Sequence, residues 1–126
     1  MSAFTEDLII KKIPGGNGDL FKVYLEFDYH IGSEDSEEYV RVPEGFVTDL
    51  ASIPWFARWL IPKVDRHCQA AVVHDFLYHS QQFSRAKSDA IFLEAMEVLG
   101  VAKWKRILMY QAVRLGGWAV WKKRTI

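Results

Sequence analysis

One cysteine, Cys68, is all the thiol chemistry this 126-residue chain contains. It has no internal partner for a disulfide, so nothing in the sequence calls for an oxidising compartment. No apolar run approaches the roughly 20 residues that a bilayer-spanning helix needs. The first residues, MSAFTEDLIIKKIPGG, also lack the basic start and apolar stretch of a secretory signal. The expectation is synthesis and folding in a reducing cytoplasm. Internal repeats and low-complexity tracts are missing too, which excludes solenoids and long linkers. The formal net charge is zero, and no recognised nucleic-acid-binding module is present, so nucleic acid is not an expected partner.

What is present is globular. Half the residues are hydrophobic and a quarter charged, a balance that builds one core in a single domain spanning 1–126. The charge is unevenly placed: residues 1–50 hold 11 acidic against 4 basic groups, and residues 51–126 hold 5 against 12. Such a dipole either folds an acidic half onto a basic one or offers complementary faces to other proteins.

The two halves differ in period as well. LFKVYLEFDYHI, residues 20–31, alternates, with Phe21, Val23, Leu25, Phe27, Tyr29 and Ile31 on one face and Lys22, Glu26, Asp28 and His30 on the other. That is the pattern of a half-buried strand. Before it, DLIIKKI runs into PGGNGD, whose glycines suit a hairpin turn, and YVRVPEGFVTDL predicts a third strand after an acidic loop. From Pro54 the signals are helical. A short helix runs to Pro62, a second follows Asp65 as candidate N-cap, and a third starts at Ser84 and stops at Gly100. A last helix covers roughly 102–121, with Gly116 and Gly117 expected to bend or interrupt it. The fold class is α+β: an N-terminal antiparallel three-stranded sheet or hairpin, then a bundle of three to four helices.

The chemistry-bearing residues cluster in AAVVHDFLYHS, residues 70–80. On a helix, His74 and Tyr78 share a stripe, while Asp75 is turned about 100° away. His74 and Asp75 therefore face different partners. The short connection SQQFS favours an antiparallel following helix, and Asp89 lies about one turn inside it, at a depth comparable with His74. A carboxylate on one imidazole nitrogen fixes the tautomer and leaves the other nitrogen to take a proton, as a general base requires. The same bond also serves as a buried structural contact.

HDFLY followed by RAKSDAIFLEAM is similar to the catalytic helices of the phospholipase A-two proteins, particularly the short prokaryotic and fungal kind. The resemblance covers about 23 residues. It implies that His74 activates a water, Asp89 orients the imidazole, Asp75 holds a calcium ion and Tyr78 supports the site. Residues 46–73, by contrast, contain no glycine-rich calcium loop, and the disulfides usual in that family are missing. A longer resemblance is carried by VPEGFVTDLASIPWFARWLIP, AAVVHDFLY, SDAIFLEAM and MYQAVRLGGWAVW. Together these look like a small phage and prophage family catalogued as domain of unknown function 1353. This implies a viral or prophage origin, with no settled activity.

VTDLASIP, between the sheet and the helices, admits three readings. Asp49 is a hard-cation ligand beside Asp75, or Ser52 is a nucleophile activated by His74, or one of the two caps the helix at Pro54. His67 and Cys68 match no zinc spacing, and His79 belongs with the terminal carbonyls of its helix. The basic, tryptophan-rich end GGWAVWKKRTI is either core packing through Trp118 and Trp121 or a contact for other phage proteins or membrane lipid. Two functions follow: a calcium-assisted ester hydrolase, or a non-catalytic virion (tail or neck) or accessory protein in which the same residues form a polar network.

Overall fold

A computed structural model describes residues 3–13, 20–33, 35–48 and 67–123. Among the described residues six short strands precede three helices: β1 Ala3–Phe4, β2 Ile10–Ile13, β3 Leu20–Val23, β4 Phe27–His30, β5 Tyr39–Val42, β6 Val47–Thr48, α1 Cys68–Ser80, α2 Arg85–Val98 and α3 Lys103–Lys123. The class is α+β, as the periodicity predicts. The short helix expected from Pro54 and the Asp65 cap lie outside the described residues, as does the PGGNGD turn.

The sheet differs from the expectation of one three-stranded unit. There are two antiparallel sheets, with orders β1-β4-β5 and β2-β3-β6. A single strand over 20–31 would run about 40 Å, longer than a domain of this size is wide. The chain instead bends at residues 24–26, so that β3 and β4 serve different sheets. The returning chain bends opposite it. Pro43 accepts from the Phe46 N–H (3.3 Å), Gly45 takes φ +92°, and Val23 N–H donates to Phe46 O (2.8 Å). β4 therefore pairs with β5 from Phe27↔Val42 to His30↔Tyr39, while β3 pairs with β6 at Phe21↔Thr48. The two sheets are the two arms of one bent hairpin, with β1 and β2 added to its outer edge. The alternation stays in phase across the bend: Val23, Phe27 and Tyr29 are buried, and only Leu25, at the bend itself, turns outward.

The sheets and the outer helices close on α1, which is buried all round from Cys68 to His74, the mark of a central helix. It packs on α2, α3, β5 and β6. Val72, Val73 and Leu77 join Phe27, Tyr29, Val40 and Val42 from the strands and Phe92, Ala95, Met96 and Met109 from the helices. α1 ends at Gln81, held at φ +53° with its N–H on Leu77 O.

Ser84 caps α2, its hydroxyl accepting from Lys87 N–H at 3.2 Å. At the other end Gly100 takes φ +76°, with Gly100 N–H on Glu97 O and Val101 N–H on Met96 O. This is the paired bonding of a left-handed glycine stop, and Val101 and Met96 supply its apolar contact. α3 corrects the expectation of a bend at Gly116 and Gly117, because it runs through both. Gly117 is needed there for closeness rather than flexibility: a Cβ on it would collide with the Tyr78 hydroxyl.

Candidate functional site

The site is built on Asp89, one turn into α2 and fully buried. The four-residue connection after α1 makes α1 and α2 an antiparallel hairpin, which brings residue 74 of one level with residue 89 of the other. His74 Nε2 lies 2.8 Å from Asp89 Oδ1. Tyr78, one turn further along α1, donates its hydroxyl to the same oxygen at 2.6 Å. Oδ2 is taken from the other side: Arg114 of α3 donates to it from Nη1 at 2.9 Å. Arg85, four residues before Asp89, places Nη1 3.6 Å away while donating to Val113 O at 3.1 Å.

Burial alone pushes the Asp89 carboxyl up, but the hydrogen bonds from His74 and Tyr78, the charge of His74 and the Arg114 bond outweigh it. The net direction is down, so Asp89 is an anion. An ionised carboxylate only accepts, and so Nε2 carries the proton that points at it. In the neutral ring the lone pair then belongs to Nδ1. The imidazole is 4% exposed and lies between the Tyr78 and Phe92 rings, with centroids 4.4 and 4.5 Å away. For Tyr78, burial and then the Asp89 anion raise the phenol well above its ordinary range, so it remains a donor.

The sequence pairing of His74 with Asp89 thus holds as geometry, and Tyr78 joins it. Asp75 is half-buried and turned the other way. It shares a face of α1 with Phe76 and His79, whose rings meet Phe46 at 5.2 and 5.9 Å beside β6. Asp49 and Ser52 lie outside the described residues. Among the described residues no group of three His, Cys, Asp or Glu side chains is placed to share a metal. His67 is buried at the N-cap of α1. Trp121 packs edge-on against Tyr78 at 5.1 Å and its carbonyl accepts from Gln81 Nε2 at 3.0 Å, whereas Trp118 is exposed.

Three residues of the site went unread in the sequence. Arg85 carried a signal, its i,i+4 spacing from Asp89. Arg114 is a cation in the otherwise apolar AVRLGG, a weaker one. Gly117 looked like a helix breaker.

The family described as "Protein of unknown function (DUF1353)" matches residues 21–113, and the chain belongs to it. The matched span covers the bent hairpin from Phe21 onward and, of the Asp89 cluster, His74, Tyr78, Arg85 and Asp89; Arg114 and Gly117 lie just beyond it. Comparison with curated proteins and with solved structures finds no match.

Proposed function

We propose that this member of the DUF1353 family is an ester hydrolase of phage or prophage origin, with His74 as its general base. One observation carries the reading: a buried carboxylate holds the proton of His74 Nε2 at 2.8 Å, which assigns the basic lone pair to Nδ1. In this reading Nδ1 takes a proton from water as the oxygen attacks an ester carbonyl, and returns it to the alkoxide that leaves when the C–O ester bond breaks. Asp89 keeps the ring in the required tautomer and balances the imidazolium that forms. Tyr78 supports the carboxylate. The order His-Asp-x-x-Tyr, then Asp on the next helix, is that of the phospholipase A-two resemblance and suggests phospholipid as the substrate class.

Calcium belongs to the proposal through Asp75 and Asp49. A hard cation takes six to eight oxygens, and the described residues offer no such set. No step is therefore routed through the metal. Bound there, its contribution would be to stabilise an oxyanion.

A second reading is favoured by a different observation. Arg114 and Arg85 crowd the same carboxylate, more than orienting an imidazole requires. A non-catalytic virion or accessory protein would use that network to fix the three-helix packing, and a place in the virion follows from it.

The test is turnover of short-chain esters and of phospholipid vesicles, with calcium and with chelator, by wild type and His74→Ala. The expected result is wild-type turnover that falls by about 10²-fold or more in the variant, as for loss of a general base. Equal turnover in both, or none in wild type under either condition, sinks the hydrolase and leaves the structural network.

A further inference from the structure

The outward face of α3 is apolar. Trp104, Ile107, Gln111, Leu115 and Trp118 fall within about 80° of one another on a helical projection. The four apolar ones are 53%, 43%, 77% and 57% exposed. The opposite face, Met109, Val113 and Gly117, is the buried one. A helix on a protein surface ordinarily reverses this arrangement and puts its polar residues outward. The stripe from Trp104 to Trp118 is about 21 Å long. Near its start stand Lys103 and Lys105, with Lys105 Nζ 5.6 Å from the Trp104 ring, and the helix sequence closes on Lys122 and Lys123. α3 contains six Lys and Arg and no Asp or Glu.

We infer that this face of α3 binds the surface of an anionic lipid bilayer. Charge and area single out that occupant. A second copy pairing α3 with α3 about a two-fold axis would set the lysines of one helix against those of the other, in either direction. The four exposed apolar side chains also offer only about 500 Å² of accessible surface, against roughly 800 Å² per partner in a stable protein interface. A bilayer needs no shape match. Tryptophan suits the headgroup level, and lysines beside it gain from anionic lipid. No described helix is long and apolar enough to cross a membrane, so α3 lies on the surface. Its own protein contacts leave this possible, because α3 packs on α1 and α2 while α1 carries β5 and β6. The acidic strand half then stands on the side away from the lipid.

The experiment is co-sedimentation of the full chain with vesicles of ether-linked phosphatidylcholine, with and without ether-linked phosphatidylglycerol. Ether lipids hold no cleavable acyl ester, so the result is independent of any hydrolysis at His74. Wild type is expected to bind the anionic vesicles at least tenfold more tightly than the zwitterionic ones, and to weaken as salt is raised. Leu115→Glu/Trp118→Glu, at exposed positions, should lose at least tenfold of that binding with an unchanged urea midpoint. Equal binding to both vesicles, no binding, or full binding by the double variant overturns the inference. So does a concentration-dependent dimer that the double variant abolishes, which gives the face to a second copy. Capture by polyglutamate without vesicle binding overturns it as well, in favour of an acidic protein.

Discussion

Two adjacent glycines in α3 should respond in opposite directions to the same methyl group. Gly116→Ala places a Cβ with nothing within 4 Å, so only the backbone effect remains and stability should rise by about 0.5–1 kcal/mol. Gly117→Ala makes the same backbone gain but aims its Cβ at the Tyr78 hydroxyl, with Arg85 Nη1 3.1 Å and Tyr78 Cζ 3.2 Å away. Neither neighbour is loose: Tyr78 is tied to Asp89 at 2.6 Å and Arg85 to Val113 O at 3.1 Å. Overpacking of this kind costs roughly 1–3 kcal/mol. If Tyr78 moves instead, it gives up a hydrogen bond to a charged group worth about 1.5–3 kcal/mol. Net of the backbone gain, Gly117→Ala should lose about 0.5–2 kcal/mol. At roughly 2.1 cal/mol/K of unfolding entropy per residue, a chain this long moves about 4 °C per kcal/mol. The backbone gain is common to both, so the pair should split by the packing cost alone, about 4–12 °C, read by urea titration and thermal melts followed by circular dichroism. Tyr78→Phe removes the colliding oxygen, so Gly117→Ala should cost at least about 1 kcal/mol less in that background. A Gly117→Ala protein as stable as Gly116→Ala would refute the close approach and the wedge on Tyr78.

Other outcomes follow from Asp89 and Cys68. Asp89→Asn keeps the volume but leaves Arg114 and Arg85 facing a neutral amide. Denaturant unfolding should show a loss of about 3–5 kcal/mol, the cost of breaking a buried ion pair from one side. The folded-state pKa of Asp89 lies below its ordinary 3.8, so in acid the unfolded chain binds the extra proton. Its stabilisation is complete above the ordinary carboxylate value and drains as pH falls through 3.8 toward the lowered folded value. Urea midpoints from pH 6 down to pH 2 should therefore fall more steeply for wild type than for Asp89→Asn; parallel curves would refute the assignment. Burial pushes the Cys68 thiol up to about 11, so a disulfide reagent at pH 8 should label it at the rate of unfolding rather than on mixing.

The inward residues of the strands were legible because alternation records which side is buried, and the even, four-position step from Val23 to Phe27 leaves that record in phase across the bend. The bend itself was not legible. Nothing local distinguishes Tyr24-Leu25-Glu26 from the middle of a strand, and what breaks it is the length of the domain the strand has to fit. Gly45 is different: its turn was marked by Pro43 and a glycine. The helix boundaries at Ser84 and Gly100 were readable because caps are local chemistry between residues a few places apart. For the glycine pair at 116 and 117, sequence supplies only the propensity, which reads as a break. The neighbour that makes Gly117 necessary, Tyr78, is 39 positions away.

At the site, the part readable in the sequence is the part carried by one helical hairpin. His74 and Asp89 meet because a short connection sets the depth of two antiparallel helices, and counting turns suffices for that. Arg114 comes from a third helix whose rotation no spacing fixes. The outcome divides Asp89 by oxygen. Oδ1 receives His74 and Tyr78 from α1, while Oδ2 receives Arg114 from α3 and faces Arg85. The candidate chemistry and the helix packing thus share one carboxylate but not one oxygen. A base at His74 gains from the anion and loses from each cation beside it, whereas the packing of α3 gains from the cations alone. If His74 is a base, the two arginines serve it only indirectly, by holding α3, with Gly117 against Tyr78, in the place that keeps the imidazole where it stands.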